Sequence, residues 1–323
     1  MESATKSKLS PEMIGKMTAF AFPGLHAEKI EELGEGYFNA AYAVLLSDGR
    51  EVILKVAPPK GIPVLTYEKD IMRAEVEGMR LVRKKTDLPV PEIYCYDKSW
   101  MLCPSEYYFM SRIEGQSFSS VSAEISEKEK SAVNVEYGKM NRKLNGITGE
   151  KFGYFAQPEM QGEDWFSTFS VMLGALFLNA EEMGISLAVR SDTVGSLLNG
   201  SRRVFDEVAV PRFVHWDLWA GNIFVKNGRI TGIIDFERCL WADVLMEFGF
   251  RSAFENPDFL RGYGAAALTG AQKIRMVWYD LYYYLIMSME SEYRHYPNLD
   301  QKIWANKKVL ESFNSLNSPQ SVE

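Results

Sequence analysis

Between Phe213 and Glu237 two short apolar runs, Ile223 to Val225 and Ile230 to Ile234, flank the dipeptide Asn227-Gly228. This constrains the chain more than any other stretch. Asn-Gly is a strong two-residue hairpin signal, because a type I′ turn needs two residues that tolerate positive φ. With Lys226 opposite Arg229, counting back pairs Asn222 with Ile233, which places Asp235 two residues beyond that partner on the same sheet face. Diagonal neighbours on one face lie roughly 7–8 Å apart, a gap that polar side chains can close around a shared cation. An amide oxygen and a carboxylate suit Mg²⁺, a hard ion that keeps waters and phosphate oxygens in its remaining positions. Asp217 stands five residues before Asn222 and is free to meet a substrate hydroxyl.

The order His215-Trp216-Asp217-Leu218-Trp219-Ala220-Gly221-Asn222, followed by Ile234-Asp235-Phe236-Glu237, resembles the aminoglycoside phosphotransferase and choline kinase-like family of small-molecule kinases. That resemblance implies a protein-kinase-like α+β fold. It has two lobes, an N-terminal antiparallel sheet with one main helix and a larger, mostly helical C-terminal part. It also implies roles: Asp217 as catalytic base, Asn222 and Asp235 as magnesium ligands, and His215 as an architectural hydrogen-bonding residue. Trp219 before Ala220-Gly221-Asn222 is similar to the Asp-Leu-Trp-x-Gly-Asn wording of fructosamine kinases, whereas Glu237 departs from the glycine of some aminoglycoside enzymes.

Upstream, Lys55 interrupts the apolar run Val52, Ile53, Leu54 and Val56, and burying an ammonium there needs an anion. A lysine snorkelling from an edge strand is the competing reading. The segment Tyr67 to Arg83 has helical periodicity, with Ile71, Glu75, Met79 and Val82 on one stripe and Glu77 off it. Glu75 is therefore the expected partner of Lys55, with Glu68 on the same stripe as the fallback. On the kinase reading Lys55 takes the α- and β-phosphates of ATP, with GTP as an alternative. Gly34-Glu35-Gly36 lies between two expected strands; glycines let a loop lie against phosphates, although such a pair is more often only a turn. There is no Gly-x4-Gly-Lys-Ser/Thr, which disfavours a Walker-type site. By resemblance, the Ser111 carbonyl and the Ile113 N–H face adenine, with Met110 or Phe109 lining the pocket.

Strands are expected at Lys29–Leu33, Asn39–Leu46, Glu51–Ala57, Glu92–Tyr96 and Glu106–Met110. Helices are expected from Ser10-Pro11 toward Phe20, then at Ser126–Leu144, Glu163–Met183, Ser191–Glu207, from Trp241 past Glu247, at Lys273–Glu292 and at Gln301–Phe313. Residues 1–114 would form a nucleotide-binding lobe and residues 115–323 a catalytic and substrate-binding lobe. With 323 residues there is ample chain for both.

Composition narrows the function. Three cysteines are too few and too scattered for a disulfide framework or a metal cage. No apolar run approaches the eighteen or so residues of a membrane span, and the opening residues lack the order of a signal peptide, so a cytoplasmic location is expected. A net charge of −7 argues against nucleic acid and suits a cationic small substrate. Acids that could line an acceptor pocket include Glu237, Asp243, Glu247, Glu255, Asp258, Asp280, Glu290 and Glu292. The expected activity is ATP- and Mg²⁺-dependent phosphoryl transfer to a hydroxyl of a small molecule, an aminoglycoside or a metabolite such as a fructosamine or an amino alcohol. A protein kinase would show Asp-Phe-Gly and a long activation segment, but Asp235-Phe236-Glu237 runs directly into Cys239-Leu240-Trp241. A nucleotide-binding protein without turnover is the remaining alternative.

Overall fold

A computed structural model describes residues 8–34, 38–296 and 298–318. The chain opens with helix α1 (Pro11–Ala21), started by the Ser10 hydroxyl, which accepts the Met13 N–H at 3.2 Å, with Pro at the first helical position. Strands β1 (Ala27–Leu33), β2 (Ala40–Leu46) and β3 (Glu51–Val56) follow as an antiparallel meander. After helix α2 (Ile71–Lys85) come β4 (Ile93–Asp97) and β5 (Tyr107–Ser111). The five strands form one antiparallel sheet in the order β1-β2-β3-β5-β4. Both faces of its centre are buried, which explains the nearly continuous apolar sequence of β3. Val52, Leu54 and Val56 point outward onto Ile14 and Met17 of α1 and onto Phe22. Ile53, and with it Lys55, points inward toward α2.

The helix read from Tyr67 to Arg83 is shorter at its start. Thr66–Glu68 form a separate turn, and α2 begins only after Asp70, whose φ is 55°. Tertiary hydrogen bonds decide this: the Leu65 N–H donates to Glu68 Oε2 at 2.8 Å, and the Thr66 N–H to Asn179 Oδ1 at 2.8 Å.

The C-terminal part is mostly helical. Its elements are β6 (Gln116–Ser117), α3 (Phe118–Val121), α4 (Glu127–Leu144), β7 (Gly153–Tyr154), α5 (Trp165–Glu182) and α6 (Ser191–Gly200). Then come β8 (Arg212–Val214), β9 (Ile223–Lys226), β10 (Arg229–Ile233), β11 (Leu240–Ala242), α7 (Pro257–Tyr263), α8 (Gly270–Tyr293) and α9 (Asp300–Leu316). Two expectations fail here. The helix from Ser191 stops at Gly200 and continues as a tighter turn, Arg202–Phe205. Past Trp241 there is no α-helix but β11 and short turns, because the Asp243 carboxylate caps the Leu245 N–H at 3.2 Å and grips Arg275 Nε at 2.8 Å and the Tyr279 hydroxyl at 2.9 Å.

The end of α8 joins the two parts. Glu290 Oε1 accepts from the Tyr67 hydroxyl and from Arg238, both at 2.9 Å, and from Arg294 at 3.3 Å, while Oε2 accepts from Gln301 at 3.1 Å. Arg294 also donates to Glu68 at 2.7 Å. Burial opposes the Glu290 charge, but Arg294 and Arg238 outweigh it and hold the carboxyl at about 2. A depressed folded value stabilises the fold above the ordinary carboxylate range and loses that contribution as pH falls through it. Glu290→Gln should therefore cost about 3 kcal/mol at neutral pH, and the gap in melting temperature from wild type should close as pH falls from 5 toward 2. Thermal unfolding across that range checks it, and a gap independent of pH would contradict it.

Candidate active site

The hairpin forms as its sequence dictates. Asn227 and Gly228 have φ of 53° and 69°, and Arg229 pairs with Lys226. The register then slips: Ile230 pairs with Val225, but Gly232 faces Phe224 and Ile233 faces Ile223, leaving Thr231 in a bulge. The Thr231 hydroxyl donates to the Glu114 carbonyl at 2.5 Å. Ile113 presses so closely on Gly232 that an added Cβ would stand 2.4 Å from Ile113 Cγ2. Asn222 therefore lies opposite Ile234, whose N–H donates to its carbonyl at 3.0 Å, rather than opposite Ile233. Asp235 has left the strand altogether, at φ 68°. The count from the turn, and with it the same-face argument, is corrected by one residue.

The left-handed backbone turns Asp235 toward the sheet. Its Oδ1 lies 2.7 Å from Lys55 Nζ, and Glu75 Oε1 lies 2.7 Å from the same nitrogen. The Lys55 side chain is 13% exposed, that of Glu75 0% and that of Asp235 28%, so this is a largely buried ion triad open at Asp235 rather than a snorkelling edge lysine. Burial works against the Lys55 ammonium, but Asp235 and Glu75 outweigh it and hold it well above the usual lysine range. Burial pushes the Glu75 carboxyl up, with Lys55 pulling the other way. Burial also opposes the Asp235 charge, yet Lys55 leaves that carboxyl below its ordinary value. The fallback Glu68 is engaged elsewhere, by Arg294 and the Leu65 N–H.

Glu237 belongs to this cluster, a role the sequence reading did not give it. It is buried, accepts from Asn39 Nδ2 at 2.9 Å, and offers an oxygen within 4.8 Å of oxygens of Glu75 and Asp235. Burial, then the Asp235 charge, push its carboxyl well above the ordinary range. Its only sequence signal was its place two residues after Asp235. Asn222 Nδ2 donates to the Asp217 carbonyl at 2.8 Å, and its Oδ1 has no partner among the described residues. An unpaired amide oxygen and an excess of buried carboxylate over ammonium are a donor set that fits Mg²⁺.

Asp217 sits on a loop fixed from behind. Glu247 accepts the N–H groups of His215 and Trp216 at 2.9 and 3.0 Å and the Asn145 amide at 2.9 Å. His215 Nε2 faces the Ile234 carbonyl at 3.0 Å, which requires the proton on that nitrogen, and burial lowers the pKa of the ring. His215 is thus a brace between loop and hairpin. The buried Trp216 ring stacks on Tyr282 at 5.6 Å. Burial raises the Asp217 carboxyl, and Arg238, whose Nε is 4.0 Å from Asp217 Oδ2, opposes that rise. Glu247 was among the sequence's candidate pocket acids; its backbone contacts show it to be structural instead.

At the end of β5, the Ser111 N–H donates to the Glu92 carbonyl at 2.9 Å, and the Ile113 N–H has no partner among the described residues. Of the two expected pocket residues, Met110 faces inward and Phe109 outward toward α1. Gly115, at φ 105°, lies against β9: an added Cβ would be 2.4 Å from the Val225 carbonyl. Gly34 is in the turn after β1; Gly36 lies outside the described residues.

Comparison with known proteins adds the family. The model of the phosphotransferase enzyme family matches residues 29–277. The chain belongs to that family. In shape this chain is similar to a thermostable mutant of the aminoglycoside phosphotransferase APH(4)-Ia in complex with ADP and hygromycin B, with a TM-score of 0.65 and 18% identity over 94% of this chain and 98% of that one. It is similar to APH(2″)-IIa in a complex with streptomycin and ATP, at a TM-score of 0.61 and 16% identity over 94% and 97%. It is also similar to a candidate fructosamine-3-kinase from Thermobifida fusca, at 0.63 and 17% over 92% and 98%. At such identities the likeness is one of fold. A subtelomeric hrmA-associated cluster protein of Aspergillus fumigatus is 32% identical over 116 residues, which is 36% of this chain and only 22% of the fungal protein.

Replacing Glu247 by Ala would leave two buried N–H groups of the Asp217 loop without an acceptor. Denaturant unfolding should show a loss of about 2–4 kcal/mol, and a variant as stable as wild type would contradict the bracing role.

Proposed function

We propose that this member of the phosphotransferase enzyme family moves the γ-phosphoryl group of ATP, with GTP as an alternative donor, to a hydroxyl of a small molecule. The observation that carries the reading is the Lys55 ammonium held at 2.7 Å by both Glu75 and Asp235, residues 20 and 180 positions away in the chain. Such a lysine, kept in place by a helical acid, is what a triphosphate tail needs for its α- and β-oxygens. On this reading residues 1–114 form the nucleotide lobe, with the free Ile113 N–H and the Ser111 carbonyl facing the base and Gly34 beside the phosphates; Gly36 lies outside the described residues. Residues 115–323 form the catalytic lobe.

Asn222 Oδ1, Asp235 and Glu237 are the oxygens that would hold Mg²⁺, which when bound offsets the charge of the phosphates. Asp217 orients the acceptor hydroxyl and takes its proton. Its loop is fixed by Glu247 and His215, so little reorganisation accompanies the transfer. Phosphoryl transfer asks for this positioning more than for covalent help.

Asp217→Asn keeps the shape and removes the base. It should lower kcat by about 10²–10⁴-fold while calorimetry finds MgATP affinity unchanged. A mutant turning over at a comparable rate would remove Asp217 from the mechanism. Lys55→Ala should do the reverse, weakening MgATP binding by at least about tenfold; unchanged binding would reject the phosphate role.

A further inference from the structure

Most carboxylate oxygens of the buried acids in this part of the chain already have partners. Glu247 holds loop N–H groups and Asn145; Glu290 holds Tyr67, Arg238, Arg294 and Gln301; Asp243 holds Arg275 and Tyr279. Asp280 accepts from the Ser252 N–H and hydroxyl on Oδ2; its buried Oδ1 has no partner, and Arg251 offsets its charge.

The arginines beside Asp217 still have unused donors. Arg238 gives Nη2 to Glu290 at 2.9 Å, but its buried Nε makes no hydrogen bond and stands 4.0 Å from Asp217 Oδ2. The guanidinium is fixed over the Tyr67 ring, 5.1 Å from its centre. Arg251 is 4% exposed; Nη2 donates to the Trp216 carbonyl at 2.7 Å, while the buried Nη1 has no partner. Its guanidinium lies 3.5 Å from the centre of the half-buried Tyr283 ring. Beside the group that would meet the acceptor hydroxyl, the chain thus offers unsatisfied N–H donors on fixed cations. Polycations need open carboxylates, whereas an oxyanion needs such donors.

We propose that the acceptor carries an oxyanion, a carboxylate or a phosphate ester within a few bonds of the reacting hydroxyl, which Arg238 binds with Arg251 and Tyr283 beside it. The proposal rests on the kinase reading, since it places the acceptor by Asp217. In the reaction the acceptor oxygen forms the new P–O bond, the bond from the γ-phosphorus to the β,γ-bridging oxygen breaks to leave ADP, and the hydroxyl proton passes to Asp217.

The test measures ADP release by the full chain with MgATP and three acceptor sets: hydroxy acids and sugar acids, sugar and polyol phosphates, and aminoglycosides with amino alcohols. Release should accelerate with one of the first two sets, and which of the two separates carboxylate from phosphate. Arg238→Gln should raise KM for that acceptor by about tenfold to a hundredfold with MgATP affinity unchanged, and Arg238→Lys should recover part of it. If Arg238→Gln does not fold, Arg238→Lys alone should raise KM, because it keeps the charge at Glu290 and loses the planar fork. Acceleration by the amines alone, by no oxyanion set, or a KM within twofold of wild type in the folded variants overturns the proposal. MgATP binding, read separately by calorimetry, tells failure of the kinase reading from failure of the charge assignment.

Discussion

A single buried ammonium organises this molecule. Lys55 enters from the inner face of a central strand and meets one carboxylate from α2 and another from the turn after β10. Burying a lone ammonium or carboxylate costs several kcal/mol, so none of the three positions is tolerable without the others. Satisfying them together fixes how the sheet, its main helix and the β9–β10 hairpin sit against one another. The cluster remains uneven: Glu237 adds a third carboxyl, whose pKa burial and the Asp235 charge push well above the ordinary range. On the proposed reading, a divalent ion would relieve this crowding of acids.

A second network carries the Lys55 arrangement into the helical part. Glu290 gathers Tyr67 and, through Arg294, Glu68 from the turn before α2, and Arg238 from the segment that follows Asp235. The base of the sheet part, the end of α8 and the flank of Asp217 therefore share one buried carboxylate. Breaking one member of such a network strands the charges of the others. Glu247 does the equivalent for the loop of residues 215–217, using an acid as an acceptor for backbone rather than as a partner for a cation.

Much of this was legible in the sequence because local signals agreed with the tertiary outcome. The Asn227-Gly228 turn, the helix start at Ser10-Pro11, the helix from Ser126 to Leu144 and the stripe through Glu75 all fold as read. The misreadings share one cause. Thr231 bulges because Glu114 and Ile113, about a hundred residues earlier, press on β10; the turn at Thr66 is fixed by Asn179; and the segment after Trp241 is held by Arg275 and Tyr279. Long-range contacts of this kind leave no periodicity or turn signal. Glu237 and Glu247 were read only among several acids that could line a pocket, and Arg238 drew no reading, because only the fold reveals which charges are buried.

The overall charge of −7 is a poor guide to what such a site accepts. Net charge sets the far field around a protein, but recognition at a buried site depends on which donors and acceptors remain after internal pairing. Here that pairing engages the nearby carboxylates with backbone, tyrosines and arginines, and leaves N–H groups of Arg238 and Arg251 unmatched. An acidic chain can thus present a locally cationic wall. Lys55 and Glu75 are tied into the ion triad, whereas side chains such as Arg238 and Tyr283 lie outside it and, on the proposed reading, are free to set what reaches Asp217.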